Sequence, residues 1–158
     1  MTPHYFAGFS GGRKSTVVGA GGTPKDINVY QAQKALENAQ RAVRPGGTVI
    51  LVAESTEGYG ESRFKEWMKG SASPEDVLRR FAQGFELGGH KAYSLARVVL
   101  QKDVILISTL PDHVVGSLFM TPAHSMEEAV ALVKRKHGKH FTAIVFPNAS
   151  AVVPTPRV

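Results

Sequence analysis

Residues able to do chemistry crowd one end of this chain. The segment Gly8-Phe-Ser-Gly-Gly-Arg-Lys-Ser15 sets glycines beside a lysine, a composition that lets backbone N–H groups come close to an anion. A Walker-type phosphate loop needs Gly, four residues, then Gly-Lys-Ser/Thr, and counting from Gly8 puts Arg13 where the second glycine belongs. A second cluster, Val17-Val-Gly-Ala-Gly-Gly22, has the form of a strand entering a dinucleotide-binding turn. There Pro24 replaces the third glycine, and Glu54 lies 35 residues after Gly19 instead of about 20. Neither nucleotide motif is complete. His4 and Lys14 are isolated titratable groups in this region, and their types alone assign them no role.

The positions after the second glycine cluster are more informative. Thr23 as N-cap, Pro24 in the first turn and Asp26 three residues after the cap predict a helix starting there. At about 100° per residue, Val29, Ala32, Leu36, Ala39 and Val43 share one stripe, which should pack against a sheet. Ile27, Tyr30, Gln31, Lys34 and Asn38 share the opposite stripe. A tyrosine and an isoleucine are unusual choices for plain solvent. Lys34, one turn after Tyr30 with Gln31 beside it, groups donors suited to a carboxylate and a hydroxyl. Because the helix follows a glycine turn at 19–22, its first turns should lie near the carboxyl end of a strand, where open α/β sheets bind ligands.

The elements that must position these residues follow from hydrophobic patterning. Short continuous apolar runs at 48–53, 104–108, 142–146 and 16–18 read as buried strands. Helical patterns fall at roughly 24–43, 61–69, 75–83, 89–101 and 125–137. This alternation predicts an α/β fold, a mostly parallel sheet with helices on both faces. Pro45, Gly46 and Gly47 are expected to separate the first helix from a strand, Gly138 to end the last helix, and the proline-rich tail 147–158 to be irregular.

The 158 residues suit a single domain spanning 1–158, and the 42% hydrophobic and 20% charged content is that of a globular protein. Lack of cysteine removes disulfides and thiolate chemistry. No apolar run is long enough to span a bilayer and the start lacks a signal-peptide pattern, so a cytoplasmic protein with no membrane partner is expected. The net charge of +6 favours an anionic partner. Part of that excess, Lys134, Arg135, Lys136 and Lys139, sits where it complements a helix carboxyl end, and the interleaved aromatics of single-strand binding are missing. No nucleic-acid partner is expected.

Two stretches resemble motifs of the lactate racemase family: His4-Tyr-Phe-Ala-Gly-Phe-Ser-Gly-Gly-Arg-Lys-Ser15, and Gly21-Gly-Thr-Pro-Lys-Asp-Ile-Asn-Val-Tyr-Gln-Ala-Gln-Lys-Ala-Leu-Glu-Asn38. Pro45-Gly-Gly-Thr-Val-Ile-Leu-Val-Ala-Glu54 and Gly58-Tyr-Gly60 extend the likeness, and the rest resembles that family's C-terminal region more loosely. The resemblance implies an isomerase acting on a 2-hydroxy acid through a nickel-pincer nucleotide. Lys14 matches the lysine that carries this cofactor, His4 a catalytic histidine, and Tyr30, Gln31 and Lys34 positions lining the substrate. Such chemistry suits these residues, because the α-hydrogen is too weakly acidic to leave easily as a proton and is taken as hydride while a histidine accepts the hydroxyl proton.

Departures accompany the match. In the family a segment of several tens of residues, bearing a nickel-ligating histidine, separates the lysine motif from the glycine-threonine-proline motif, whereas here only 15–20 joins them. The family's N-terminal domain, with a second catalytic histidine, has no counterpart in this sequence, so a missing domain or partner chain is expected to complete the site. The stretch Gly88-Gly-His-Lys-Ala-Tyr93 replaces a tryptophan-containing segment of lactate-specific members, which implies a larger or more polar 2-hydroxy acid. His113, His124, His137 and His140 have no ligand spacing, and no metal set is assigned. The alternative is a non-catalytic remnant or anion-binding module with the same fold.

Overall fold

Apolar runs alternating with amphipathic ones build a parallel sheet whose strands need cover on both faces. The computed structural model describes residues 5–9 and 13–156. In chain order the elements are β1 (Tyr5–Phe9), β2 (Arg13–Gly19), α1 (Val29–Ala39), β3 (Val43–Val52), α2 (Ser62–Gly70), α3 (Pro74–Gln83), α4 (Gly89–Gln101) and β4 (Asp103–Ile107). They continue with α5 (Asp112–Ser117), β5 (Thr121–Ala123), α6 (Met126–His137), β6 (Ala143–Phe146) and β7 (Val152–Pro156). The main sheet has the order β5-β4-β3-β2-β6, and every neighbouring pair is parallel. β1 and β7 form a separate parallel pair.

This order explains why the two faces differ. From β2 through β3 and β4 to β5 the chain always steps the same way across the sheet, and right-handed crossovers then place every connecting helix on one face. The return from β5 to β6 runs in the opposite direction and carries α6 to the other face. The main core accordingly joins α1 to α5 with Val18, Val49, Leu51, Val104, Leu106 and Phe146. A smaller core sets Ala129 and Val133 of α6 against Ile50, Ile105 and Ala123.

The expected α/β class, with a mostly parallel sheet and helices on both faces, is what the chain adopts, and α2, α3, α4 and α6 fall within a residue or two of the expected spans. The start of the first helix does not. Residues 24–28 are turns and bends, and the N-cap is Asn28 in place of Thr23. The carbonyls of Asp26 and Ile27 accept from the N–H groups of Ser55 and Glu57 at 2.8 and 2.9 Å, which ties this backbone to the loop after β3 and keeps it out of a helical ladder. Two further corrections concern the breakers and the tail. Pro45, Gly46 and Gly47 lie inside β3, where the pairing with β2 shifts register between Arg13 and Ser15. The tail contains a short 3-10 turn, Ala149–Ala151, and then β7.

Candidate substrate site

The switch point of this sheet lies between β2 and β6, because the chain leaves β2 toward β3 on one side and reaches β6 only after crossing back. Ligands of open α/β sheets bind outside the carboxyl ends of strands at such a point. Here the strand ends are packed so closely that a Cβ on Gly19 would stand 2.3 Å from the Pro147 carbonyl oxygen. Ser150 Oγ donates to Ala20 O at 2.7 Å, and Asn38 Nδ2 donates to Ala149 O at 2.9 Å, so the segment after β6 is fastened to both β2 and α1. Lys25 Nζ lies 3.5 Å from Asn148 Oδ1 across the crevice. Asp26 Oδ1 is buried and has no hydrogen-bond partner among the described residues.

α1 begins at this end of the sheet, and its free amides are already engaged. Asn28 Oδ1 accepts from Gln31 N at 2.9 Å. Val29 N and Tyr30 N donate to the carbonyls of Gly58 and Tyr59 at 3.0 and 3.1 Å. The loop that supplies those carbonyls is held by Tyr59 Oη and Ser117 Oγ, 2.5 Å apart, and it approaches so closely that a Cβ on Gly60 would fall 2.5 Å from the Asn28 side chain. A helix N-terminus ordinarily attracts phosphate through its unpaired amides. Here those amides are spent inside the protein, so an anion at this end must be held by side chains.

Tyr30, Gln31 and Lys34 come together on the outward stripe of α1, with Tyr30 half-buried and Gln31 and Lys34 exposed. The opposite stripe, Val29, Ala32, Leu36 and Ala39, is buried as its spacing requires, whereas Val43, expected to end the same helix, is instead the first residue of β3. Tyr30 stands edge-on to Phe64, with ring centroids 5.9 Å apart. The Lys91 ammonium lies 5.2 Å from the centre of the Tyr30 ring. α4 is locked to α1 by Gln33 Nε2, which donates to Lys91 O at 2.7 Å. Lys91, which lies in the stretch Gly88–Tyr93 singled out in the sequence, is thus a second cation beside Tyr30.

Lys14 is not part of this grouping. It sits at the amino end of β2, where it lines a hollow of about 450 Å³ with Arg13, Lys139, His140, Phe141 and Thr142. Six residue steps along the chain lead from it to Ala20, about 20 Å at a rise of roughly 3.3 Å per residue. Tyr30 to Lys34 lie within about 8 Å of the first residue of α1, at about 1.5 Å per helical residue. His4 lies outside the described residues. Among the described residues no cluster of His, Asp and Glu is arranged to hold a metal ion.

A parallel five-stranded sheet with a switch point and helices on both faces defines the class as an open α/β domain. The chain belongs to the lactate racemase C-terminal domain family, whose model matches residues 13–154. It is 30% identical over 138 residues to the lactate racemase of Thermoanaerobacterium thermosaccharolyticum, and 28% identical over 138 residues to that of Lactiplantibacillus plantarum. Each match covers 84% of this chain and 32% of the relative, so the chain spans about a third of the length of these proteins. The solved lactate racemase apoprotein from T. thermosaccharolyticum superimposes with a TM-score of 0.87 at 26% identity, over 92% of this chain and 36% of that one. A Thermotoga maritima protein shares the fold with a TM-score of 0.62 at 11% identity, over 98% of this chain and 39% of that one.

Proposed function

We propose that this chain is the substrate-holding domain of a 2-hydroxy acid racemase or epimerase. The observation that supports this reading is the grouping of Tyr30, Gln31 and Lys34 on one face of α1 beside the switch point. Lys34 suits a substrate carboxylate, Gln31 can donate to the neighbouring oxygen, and the half-buried Tyr30 supplies a hydroxyl against an apolar ring. With the helix amides already engaged, recognition falls on these side chains.

In the complete enzyme the nickel-pincer nucleotide that the family resemblance implies would be held at Lys14 and would supply hydride-acceptor chemistry, with His4 the residue that would accept a proton. The arrangement within one copy does not fit that cofactor: Lys14 and the α1 face lie toward opposite ends of the sheet, and no metal-holding cluster stands between them among the described residues. The chain by itself is therefore expected to bind substrate without turning it over, and a further part of the enzyme must bring cofactor to the α1 face. The same separation favours the alternative of a binding module that performs no chemistry.

Titration of lactate and larger 2-hydroxy acids into the chain, followed by calorimetry, tests the reading. Lys34→Ala should weaken binding by about tenfold or more, the scale of one charge-assisted hydrogen bond, while Lys14→Ala leaves it unchanged. Equal affinity for the parent and Lys34→Ala would sink the proposal. Racemisation by the chain supplied with cofactor alone would overturn the claim that it is incomplete and dispose of the non-catalytic alternative.

A further inference from the structure

Helices α1 and α4 run side by side and are clamped to each other twice. Near their start Gln33 Nε2 donates to Lys91 O at 2.7 Å. Near their finish the buried Lys102 ammonium donates to Gln40 O at 2.6 Å and also to Gln40 Oε1. Between the clamps the outer edges of the two helices part around a hollow of about 280 Å³. Helical spacing makes its walls. Glu37, Gln40 and Arg41, three and four residues apart, share one side of the α1 end, and Ser94, Arg97 and Val98 repeat that spacing on α4.

These walls are rich in donors. Lys102 engages the side-chain oxygen of Gln40, which leaves the Gln40 amide nitrogen to donate. The Arg97 guanidinium lies 5.8 Å from the centre of the Tyr93 ring, a cation–π contact that restrains it while its N–H edges stay open. Arg63, Arg79 and Arg80 are paired with carboxylates, whereas Arg41 and Arg97 have no ion-pair partner among the described residues. Glu37 Oε1 accepts from Gln33 Nε2 at 3.3 Å, and the other oxygen can still accept from a hydroxyl. Two guanidiniums against one carboxylate leave the hollow with an excess of positive charge.

We propose that this hollow binds a small phosphate monoester that carries hydroxyl groups. Guanidinium forks pair with carboxylate and phosphate alike, but arginines on two different helices need an anion whose oxygens point both ways. A tetrahedral phosphoryl group has such oxygens, and a single planar carboxylate does not. Ser94 and the Gln40 amide add donors for the phosphoryl group, and Glu37 accepts from a hydroxyl of the ligand body. Ordinary ligand pockets hold about 300–1,000 Å³, so this one suits a body of only a few carbons. Its walls stand on two clamped helices, so binding orders little of the protein.

Calorimetric titration of glycerol 3-phosphate into the chain tests the assignment. One-to-one binding is expected, weakened about tenfold or more by Arg41→Gln and by Arg97→Gln, the scale of one charge-assisted hydrogen bond. Both side chains are exposed, and urea midpoints equal to the parent's show that the variants are folded. Lys139→Gln, in the cationic hollow beside β2, should leave the affinity unchanged. Inorganic phosphate should bind about tenfold more weakly than glycerol 3-phosphate, and Glu37→Ala should erase that difference. Absence of binding, equal affinity for the parent and both arginine variants, or loss of binding in Lys139→Gln would overturn the site. Tighter binding of succinate, or equal affinity for inorganic phosphate, would overturn the ligand class. Lys34→Ala should not alter this titration, so the hollow and the substrate reading of the α1 face stand or fall separately.

Discussion

Single side chains at the amino end of the sheet carry a pH signature. His137 Nε2 lies 2.9 Å from Thr48 Oγ1, and burial, with Lys136, Lys14 and Arg44 nearby, holds the imidazole below its ordinary value of 6.5; Asp103 opposes the shift. The folded chain thus binds this proton less readily than the unfolded chain, and its stability should be complete above pH 6.5 and fall as pH drops through that value toward the lowered one. Thermal melts between pH 7.0 and 5.5 should show the decline, and His137→Gln should flatten it. An unchanged slope would assign the pH dependence elsewhere. Lys102 is a buried cation; desolvation lowers its pKa, and its ammonium donates to the backbone oxygen and side-chain oxygen of Gln40. The helical stripe made Tyr30, Gln31 and Lys34 visible in the sequence, because positions one turn apart share a face. The stretches holding Gly58, Tyr59 and Lys91 stood out in the sequence, but their contacts with the start of α1 were not legible, because they arise only through tertiary folding.

At the scale of elements, the start of α1 is where local propensity and tertiary structure disagree most. Thr23 and Pro24 are good helix-starting residues, yet the backbone at 26 and 27 bonds to the loop after β3 and the cap moves to Asn28. Asn28→Ala should cost about 1 kcal/mol, whereas Thr23→Ala should stay within about 0.5 kcal/mol; urea unfolding of the pair decides which residue is the cap. Gly19→Ala probes the contact between β2 and the segment after β6. A Cβ there overlaps a backbone carbonyl, so the loss should reach about 1–3 kcal/mol, and a smaller change would mean that the strand ends can part freely. Helices of nine residues or more were legible because several turns repeat the pattern. β5 is three residues with a central proline, β7 holds two prolines, and α5 is barely a turn and a half. Such short pieces carry too few residues for periodicity to register.

Across the whole molecule, strand order was the part least legible, since apolar runs announce strands but not their neighbours. The tail closes the structure: Ala149, Ser150 and Ala151 are buried, and their segment bonds to β2 and α1. Removing residues 147–158 would strip the partners from Ala20 O and Asn38, at about 1–3 kcal/mol for each buried group left unpaired. For a domain of ordinary stability, about 5–15 kcal/mol, the urea midpoint should fall by a substantial fraction; an unchanged midpoint would show that the tail is an accessory.

The occupied amino end of α1 also bears on how such a domain can diversify. Where backbone amides grip a ligand, preference is written into the course of the chain, and altering it means rebuilding a loop. Here the helix withholds its amides, so under the proposed reading the choice of acid would rest on side chains exposed at Gln31 and Lys34, each open to replacement by a single codon change with little effect on the buried stripe beneath. A lineage carrying this domain could therefore move from one acid to another in small steps while its scaffold stays fixed, and abundant inorganic phosphate would be a poor competitor throughout.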